Sequence, residues 1–405
     1  MDSRLKIRKS ELITFLLLLP LYRPPYLATA KFAFLNAFFV YGKVLSFTVA
    51  ILIFFSKIQT KLKKKRSFEI STYLAFFVWL FVCGIANQNM SEVGSAFLPV
   101  ITVIILFLSY LDEDVTKVLN PLGFILYIYV LINFATVLLF PQGLYSDSVN
   151  EMSTRIEYSW FLGYKNPQVR ILLPAVSISF ISDIVKYGRV KVKSLLLLIV
   201  SLITIVLIKS STALIGFSVF ILIYIVRMKW NIRVKLIWFL IYNAVFFVGI
   251  VILRLQNLFG FVIVDVLHKD LTFTGRTYIW DQALLRILKN PLLGNGATEF
   301  PIGSYFVATH PHNFMLYLLV KSGLIGFLLF VVSAVICAKK LEKYQDSKIA
   351  QILIMEFCGF FSMTVTESMT EAIFFWLIII MGICVDSIFG KENINDRNCN
   401  TFKGQ

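Results

Sequence analysis

The sequence predicts an all-α, polytopic integral membrane protein of about twelve transmembrane helices. Three observations point there. The chain is 58% hydrophobic, with a mean hydropathy of +0.79. Charged residues make up only 15% of it, where a soluble domain carries about 25%. Its Lys and Arg residues stand in short clusters between apolar runs, the pattern of cytoplasmic loops. The formal net charge of +16 forms neither one face nor one tail, which excludes a nucleic-acid-binding reading. Five cysteines show no metal-ligand spacing, so neither a disulfide framework nor a zinc site is indicated.

The first expected span, about Glu11 to Leu27, follows Arg4, Lys6, Arg8 and Lys9. It resembles a signal peptide with Ala28-Thr29-Ala30 as a cleavage-like site, but Arg23, Pro24 and Pro25 fit such a region poorly. A second span ends near Phe55, before the basic run Lys57 to Arg66. Spans follow over about 70–88, 93–111, 119–140 and 171–185, then a hairpin of two spans around Lys209-Ser210-Ser211-Thr212. Span nine covers about 236–253 and span ten about 313–338, and two more end near Phe389. With the N-terminus inside, this count puts about 26 of the Lys and Arg residues on one side. Residues 1–405 then form a single membrane domain, with loops 141–170 and 254–311 outside and a cytoplasmic tail at 390–405. No internal repeat is evident.

The loop before span ten is long enough to be functional. Within it, residues 277–289 read as an amphipathic helix lying at the membrane interface. Ile279, Trp280, Ala283, Leu284, Ile287 and Leu288 form its apolar stripe, with Asp281, Gln282, Arg286 and Lys289 opposite. Thr274 is the expected N-cap, and Lys289-Asn290-Pro291 is the stop. Gly275 and Arg276 at its start suit an anion, since arginine grips a phosphate through two hydrogen bonds. On residue type alone, Arg276 could equally face lipid headgroups. Gly294 and Gly296 allow tight turns. His312, in Thr309-His310-Pro311-His312-Asn313, can take a proton near neutral pH, and Asn313 can orient it or a substrate. Gly323 and Gly326 suit close helix packing, and Lys321 in an apolar stretch is expensive unless paired or wet.

These residues resemble a known family. Gly275-Arg276, Trp280, Ala283-Leu284, Ile287, Pro291-Leu292, Gly294, Gly296, His312-Asn313 and Gly323-Leu324-Ile325-Gly326 look like the signature of the O-antigen ligase and O-antigen polymerase superfamily. The resemblance implies a fold similar to membrane glycosyltransferases that use lipid-linked donors. It also implies action on glycans carried by undecaprenyl diphosphate at the outer face of the bacterial cytoplasmic membrane, with no metal, cofactor or nucleotide sugar. Carried onto this chain, Arg276 binds the donor diphosphate and His312 activates the acceptor hydroxyl. Lys165, Arg155, Arg170, Arg286 and Asn313 are further candidate substrate contacts. Many relatives have Ser-Arg at the hairpin where this chain has Ser210-Ser211, leaving Lys209 to supply that charge.

The leading expectation is a polymerase of capsule or O-antigen repeat units, with lipid-linked donor and acceptor as partners. A chain-length regulator and a flippase are candidate partners. A ligase with a different acceptor is the alternative in the same class. A flippase or transporter is the alternative in another class; such proteins usually show repeats or broken helices with charges near the midplane.

Overall fold

The computed structural model describes residues 9–29, 33–58, 64–147, 157–261, 276–296, 300–302, 306–308, 310–369 and 372–388. Arg155, Thr274, Gly275 and the expected tail at 390–405 lie outside them.

The described residues are dominated by helices: α1 (Lys9–Leu18), α2 (Pro25–Thr29), α3 (Ala33–Ile58), α4 (Lys64–Ala86), α5 (Met90–Tyr110), α6 (Thr116–Leu139), α7 (Val169–Tyr187), α8 (Val192–Leu207), α9 (Ser211–Trp230), α10 (Ile237–Phe246), α11 (Arg276–Lys289), α12 (Phe314–Lys343), α13 (Lys348–Met363) and α14 (Ile373–Ile383). Among the described residues, six are long and apolar enough to cross a membrane: α3, the stretch of α4 from Phe68, α5, α6, α9 and α12. Every stretch expected as a span contains a helix. The protein is an all-α, multi-pass membrane protein.

Two expectations are corrected. The first span is not one helix: α1 ends at Leu18, and a 3-10 turn, Leu19–Leu21, carries Pro20. Proline lacks the amide an α-helix interior needs. The outer loops also carry short strands. Tyr145–Asp147 (β1), Glu157–Trp160 (β2) and Gly163–Tyr164 (β3) form an antiparallel sheet, and Phe300–Ile302 (β4) pairs with Phe306–Ala308 (β5). The second correction is a break in α12. Gly323 has φ +60° and ψ −169°, outside the helical region. In one straight helix Phe314 and Phe330 would stand about 24 Å apart along the axis. Their ring centroids are 5.1 Å apart, so the chain bends sharply at Gly323.

A break inside a membrane helix frees backbone groups that must find partners. The segment after α11 supplies them. The amides of Asn295 and Gly296 donate to the carbonyls of Val320 and Lys321 at 2.7 and 3.0 Å, and the Leu324 amide donates to Pro291 at 2.8 Å. The Trp79 indole of α4 donates to the Ser322 carbonyl at 2.8 Å. Asn87 and Asn89 donate to the carbonyls of Gly294 and Asn295. A Cβ on Gly323 would meet the Leu292 carbonyl and stand 2.6 Å from the Gly294 nitrogen; one on Gly294 would stand 2.7 Å from the Lys321 carbonyl. The glycines thus permit backbone-to-backbone contact at a break, where the sequence suggested helix-to-helix packing.

α13 and α14 are buried almost throughout, whereas α3, α8 and α10 leave Phe34, Leu45, Leu52, Leu196, Ile199 and Trp238 exposed. Central helices and a lipid-facing rim account for that contrast. Near the centre, Trp376 stacks on Phe76 at 5.0 Å and meets Phe330 and Phe375 edge-on.

α7, α9 and the first half of α12 begin at one end of the bundle, where Arg170 bonds Ser368, Ser210 bonds Asn166, Asn166 bonds Glu367 and the Phe314 amide bonds Thr364. At the opposite end Arg227 and Arg233 pair with Asp346, Lys340 pairs with Glu69, and Lys57 pairs with Glu113. The Asp183 carboxylate there accepts from the Lys191 amide and the Ser194 hydroxyl. Among the described residues, Lys57, Lys191, Arg227, Arg233 and Lys340 therefore lie at the end away from Arg276 and His312.

Candidate functional site

The site is built around the turn between α13 and α14, Thr364 to Ser368. Thr364 closes α13 by donating to the buried Asn243 of α10 at 2.6 Å. The following carbonyls are taken up in sequence by neighbouring elements. That of Thr364 accepts from the Phe314 amide at 2.9 Å. That of Val365 accepts from Asn313 Nδ2 at 3.2 Å, and that of Thr366 from Arg276 Nη1 at 3.0 Å. That of Ser368 accepts from Arg170 Nη2 at 2.6 Å. The turn thus joins the starts of α7, α11 and α12.

Glu367 lies within this turn, its side chain 5% exposed, with Oε2 4.0 Å from His312 Nδ1. Its Oε1 accepts from Asn166 Nδ2 at 3.2 Å. Burial raises the Glu367 carboxyl above its ordinary range, against the opposing pull of Arg170 and Arg276. His312 has φ +51°, a left-handed conformation uncommon outside glycine. It sits between two fixed peptides: the Pro311 carbonyl accepts from the Trp280 indole at 2.9 Å, and Asn313 caps α12 through the Leu316 amide. Its side chain is 35% exposed, open enough to meet a substrate. The His310 ring stands 4.2 Å from it, edge to face.

Burial first, then the neighbouring His310, Arg276 and Arg170, hold His312 down to about 3. Burial and the cations Arg170, Arg276 and Lys321 hold His310 down to about 4. Both histidines are therefore neutral at pH 7. Burial also lowers Arg276, which stays charged because a guanidinium starts far above neutrality. The result is a patch of Arg170, Arg276 and Lys321 around two neutral imidazoles and one carboxylate. The amino ends of α7 and α11 add positive dipole ends there. Such a place can hold an anion beside a base.

The sequence-derived candidates divide as follows. Arg276, His312 and Arg170 come together. Asn313 is 1% exposed, with its amide bonded to Leu316 and Val365 as the cap of α12. Lys209 is exposed on the hairpin turn with φ +54°. Beside it Ser210 reaches inward, its hydroxyl donating to Asn166 Oδ1 at 3.1 Å. Lys165 lies over the Tyr164 ring at 5.6 Å. Arg286 is ten residues along α11 from Arg276, about 15 Å at helical rise. Of the apolar stripe of its helix, Trp280 and Ala283 are buried and Leu288 is 74% exposed. Glu367, Asn166 and Ser210 were not expected. Ser210 stands at the hairpin position the resemblance singles out, and Glu367 is one of two acids, with Glu371, in a short polar break between two apolar runs.

A family model described as O-Antigen ligase matches residues 196–331, about a third of the chain. The matched stretch runs from α8 into α12. It includes Ser210, Arg276, Trp280, His312 and the Gly323 break, and excludes Arg170 and Glu367. No curated protein matches the chain.

Proposed function

We propose, from the premise that the chain belongs to the O-antigen ligase and polymerase superfamily, that it is a glycosyltransferase polymerising lipid-linked repeat units of a capsule or O-antigen. Donor and acceptor are glycans on undecaprenyl diphosphate, met at the outer face of the bacterial cytoplasmic membrane, with both chain ends in the cytoplasm. The observation that carries this reading is the meeting of Arg276, Arg170, His312 and Glu367 at the end of the bundle away from Lys57, Lys191, Arg227, Arg233 and Lys340.

The chemistry needs few parts. The anomeric carbon of the donor is bonded to diphosphate, already a good leaving group. Arg276 and Arg170 each spend one nitrogen on a backbone carbonyl. Their remaining donors hold the diphosphate and the charge that grows on it. Neutral His312 accepts the acceptor hydroxyl proton through Nε2. The hydroxyl oxygen then bonds to the anomeric carbon, and the electron pair of the breaking carbon–oxygen bond leaves with the diphosphate. Glu367, behind Nδ1, stabilises the imidazolium until its proton is released. Attack opposite the leaving group inverts the anomeric centre.

Transport fits less well. A broken helix is a transporter feature. Here residues 291–296 fill the break with backbone hydrogen bonds, where a transporter opens it to solutes and ions. A ligase would use the same centre with another acceptor. The test is Arg276→Ala and His312→Ala in cells, read as polymer length. Loss of long polymer with accumulation of single lipid-linked units on the outer face supports the proposal. Normal polymer length in both variants removes it.

A further inference from the structure

We propose that Trp280 is a positioning residue for the transfer: its indole N–H holds the Pro311 carbonyl and so sets His312 against Arg276. This rests on the glycosyl-transfer reading above.

Arg276 and Trp280 are four residues apart on α11 and so lie on one face of it, one turn apart. Trp280 is 1% exposed and packs with Val251, Leu316, Tyr317 and Val320. Its one polar atom donates to Pro311, the residue before His312. The left-handed backbone of His312 persists only if its neighbours enforce it. The peptide after it is fixed by the Asn313 cap, and the peptide before it by Trp280. Arg254 braces the same turn from outside, with its guanidinium 5.3 Å above the Trp280 ring and paired with Asp281.

A second tie lies at the far end of α11. Asn295 Nδ2 donates to the carbonyls of Arg286 and Val320, joining the last turns of α11 and of the first half of α12. The two short helices are therefore fastened at both ends. One helix carries the donor-binding arginine, and the other begins at the acceptor-activating histidine. Trp280 is the fastening nearer the reacting atoms, so loosening it changes the arginine-to-histidine geometry without removing either group.

The test uses the purified full-length protein with a synthetic undecaprenyl-diphosphate-linked repeat unit. Trp280→Phe keeps an aromatic ring in the buried slot and removes the N–H. The expected result is a kcat about 10–100-fold lower with the donor KM within about twofold, because a displacement near 1 Å is enough for such a loss. Should this variant fail to fold, replacement of Trp280 by 3-benzothienylalanine, of the same shape but lacking the N–H, is decisive instead. An unchanged kcat, or a raised donor KM at unchanged kcat, overturns the proposal. If wild type turns over and His312→Ala does not, while both Trp280 replacements match wild type, only the positioning role falls. If wild type makes no glycosidic bond, the glycosyl-transfer reading falls first.

Discussion

Gly323→Ala tests whether the break in α12 is a built feature of the fold. The backbone there has φ +60° and ψ −169°, a region open essentially to glycine alone. A side chain forced into it costs about 1–3 kcal/mol. The new methyl also meets backbone atoms of Leu292 and Gly294, which cannot rotate away as a side-chain tip can. Overpacking of this kind adds about 1–3 kcal/mol. Together these come to about 2–6 kcal/mol, against a total stability of about 5–15 kcal/mol for a typical protein. The assay is thermal unfolding of detergent-purified protein beside Gly94→Ala. A Cβ on Gly94 would meet nothing within 4 Å, and it sits inside α5. Alanine there should stabilise by about 0.5–1 kcal/mol. Gly323→Ala should lower the unfolding temperature strongly or abolish recovery of folded protein, while Gly94→Ala leaves it level or higher. Equal unfolding temperatures for Gly323→Ala and wild type would refute the reasoning.

The other predictions concern the charges. Arg170→Ala should lower the transfer rate about 10²–10³-fold, as loss of one preorganised donor does, whereas Arg286→Ala at the far end of α11 should leave it within about twofold; initial rates on the lipid-linked donor measure both. With His312 held down to about 3 and His310 to about 4, neither histidine should impose a fall on the transfer rate near the ordinary histidine value; a fall centred near 6.5 that persists in Glu367→Gln would contradict this. Both histidines bind protons more weakly folded than unfolded, so their contribution to stability is present above about 6.5 and lost as pH falls toward their folded values. His312→Gln should therefore flatten the fall of unfolding temperature between pH 6.5 and 4.

Much of the fold was legible because lipid imposes a simple rule, apolar runs of membrane length separated by basic clusters. The α11 stripe could be read because Trp280 and Ala283 recur at helical spacing, and Pro291 marks its stop. The break at Gly323 was hidden, because Gly-x-x-Gly reads equally well as helix packing and as a bend. Only the return of residues 291–296 onto Val320 and Lys321 distinguishes the two. Asn313 has two readings in the sequence, a partner of the neighbouring histidine or substrate and an N-cap just before an apolar helix, and the structure shows the cap. The Thr364–Ser368 turn was missed because it acts mainly through backbone carbonyls, which leave no trace in residue type. Glu367 gained meaning only when that turn brought it to His312.

The most direct measurement follows purified protein and an undecaprenyl-diphosphate-linked repeat unit to products, with His312→Ala and Glu367→Gln alongside. The account predicts a ladder of lengthening glycan with one undecaprenyl diphosphate released per bond, absent with His312→Ala and slowed with Glu367→Gln. A full ladder from His312→Ala would contradict it.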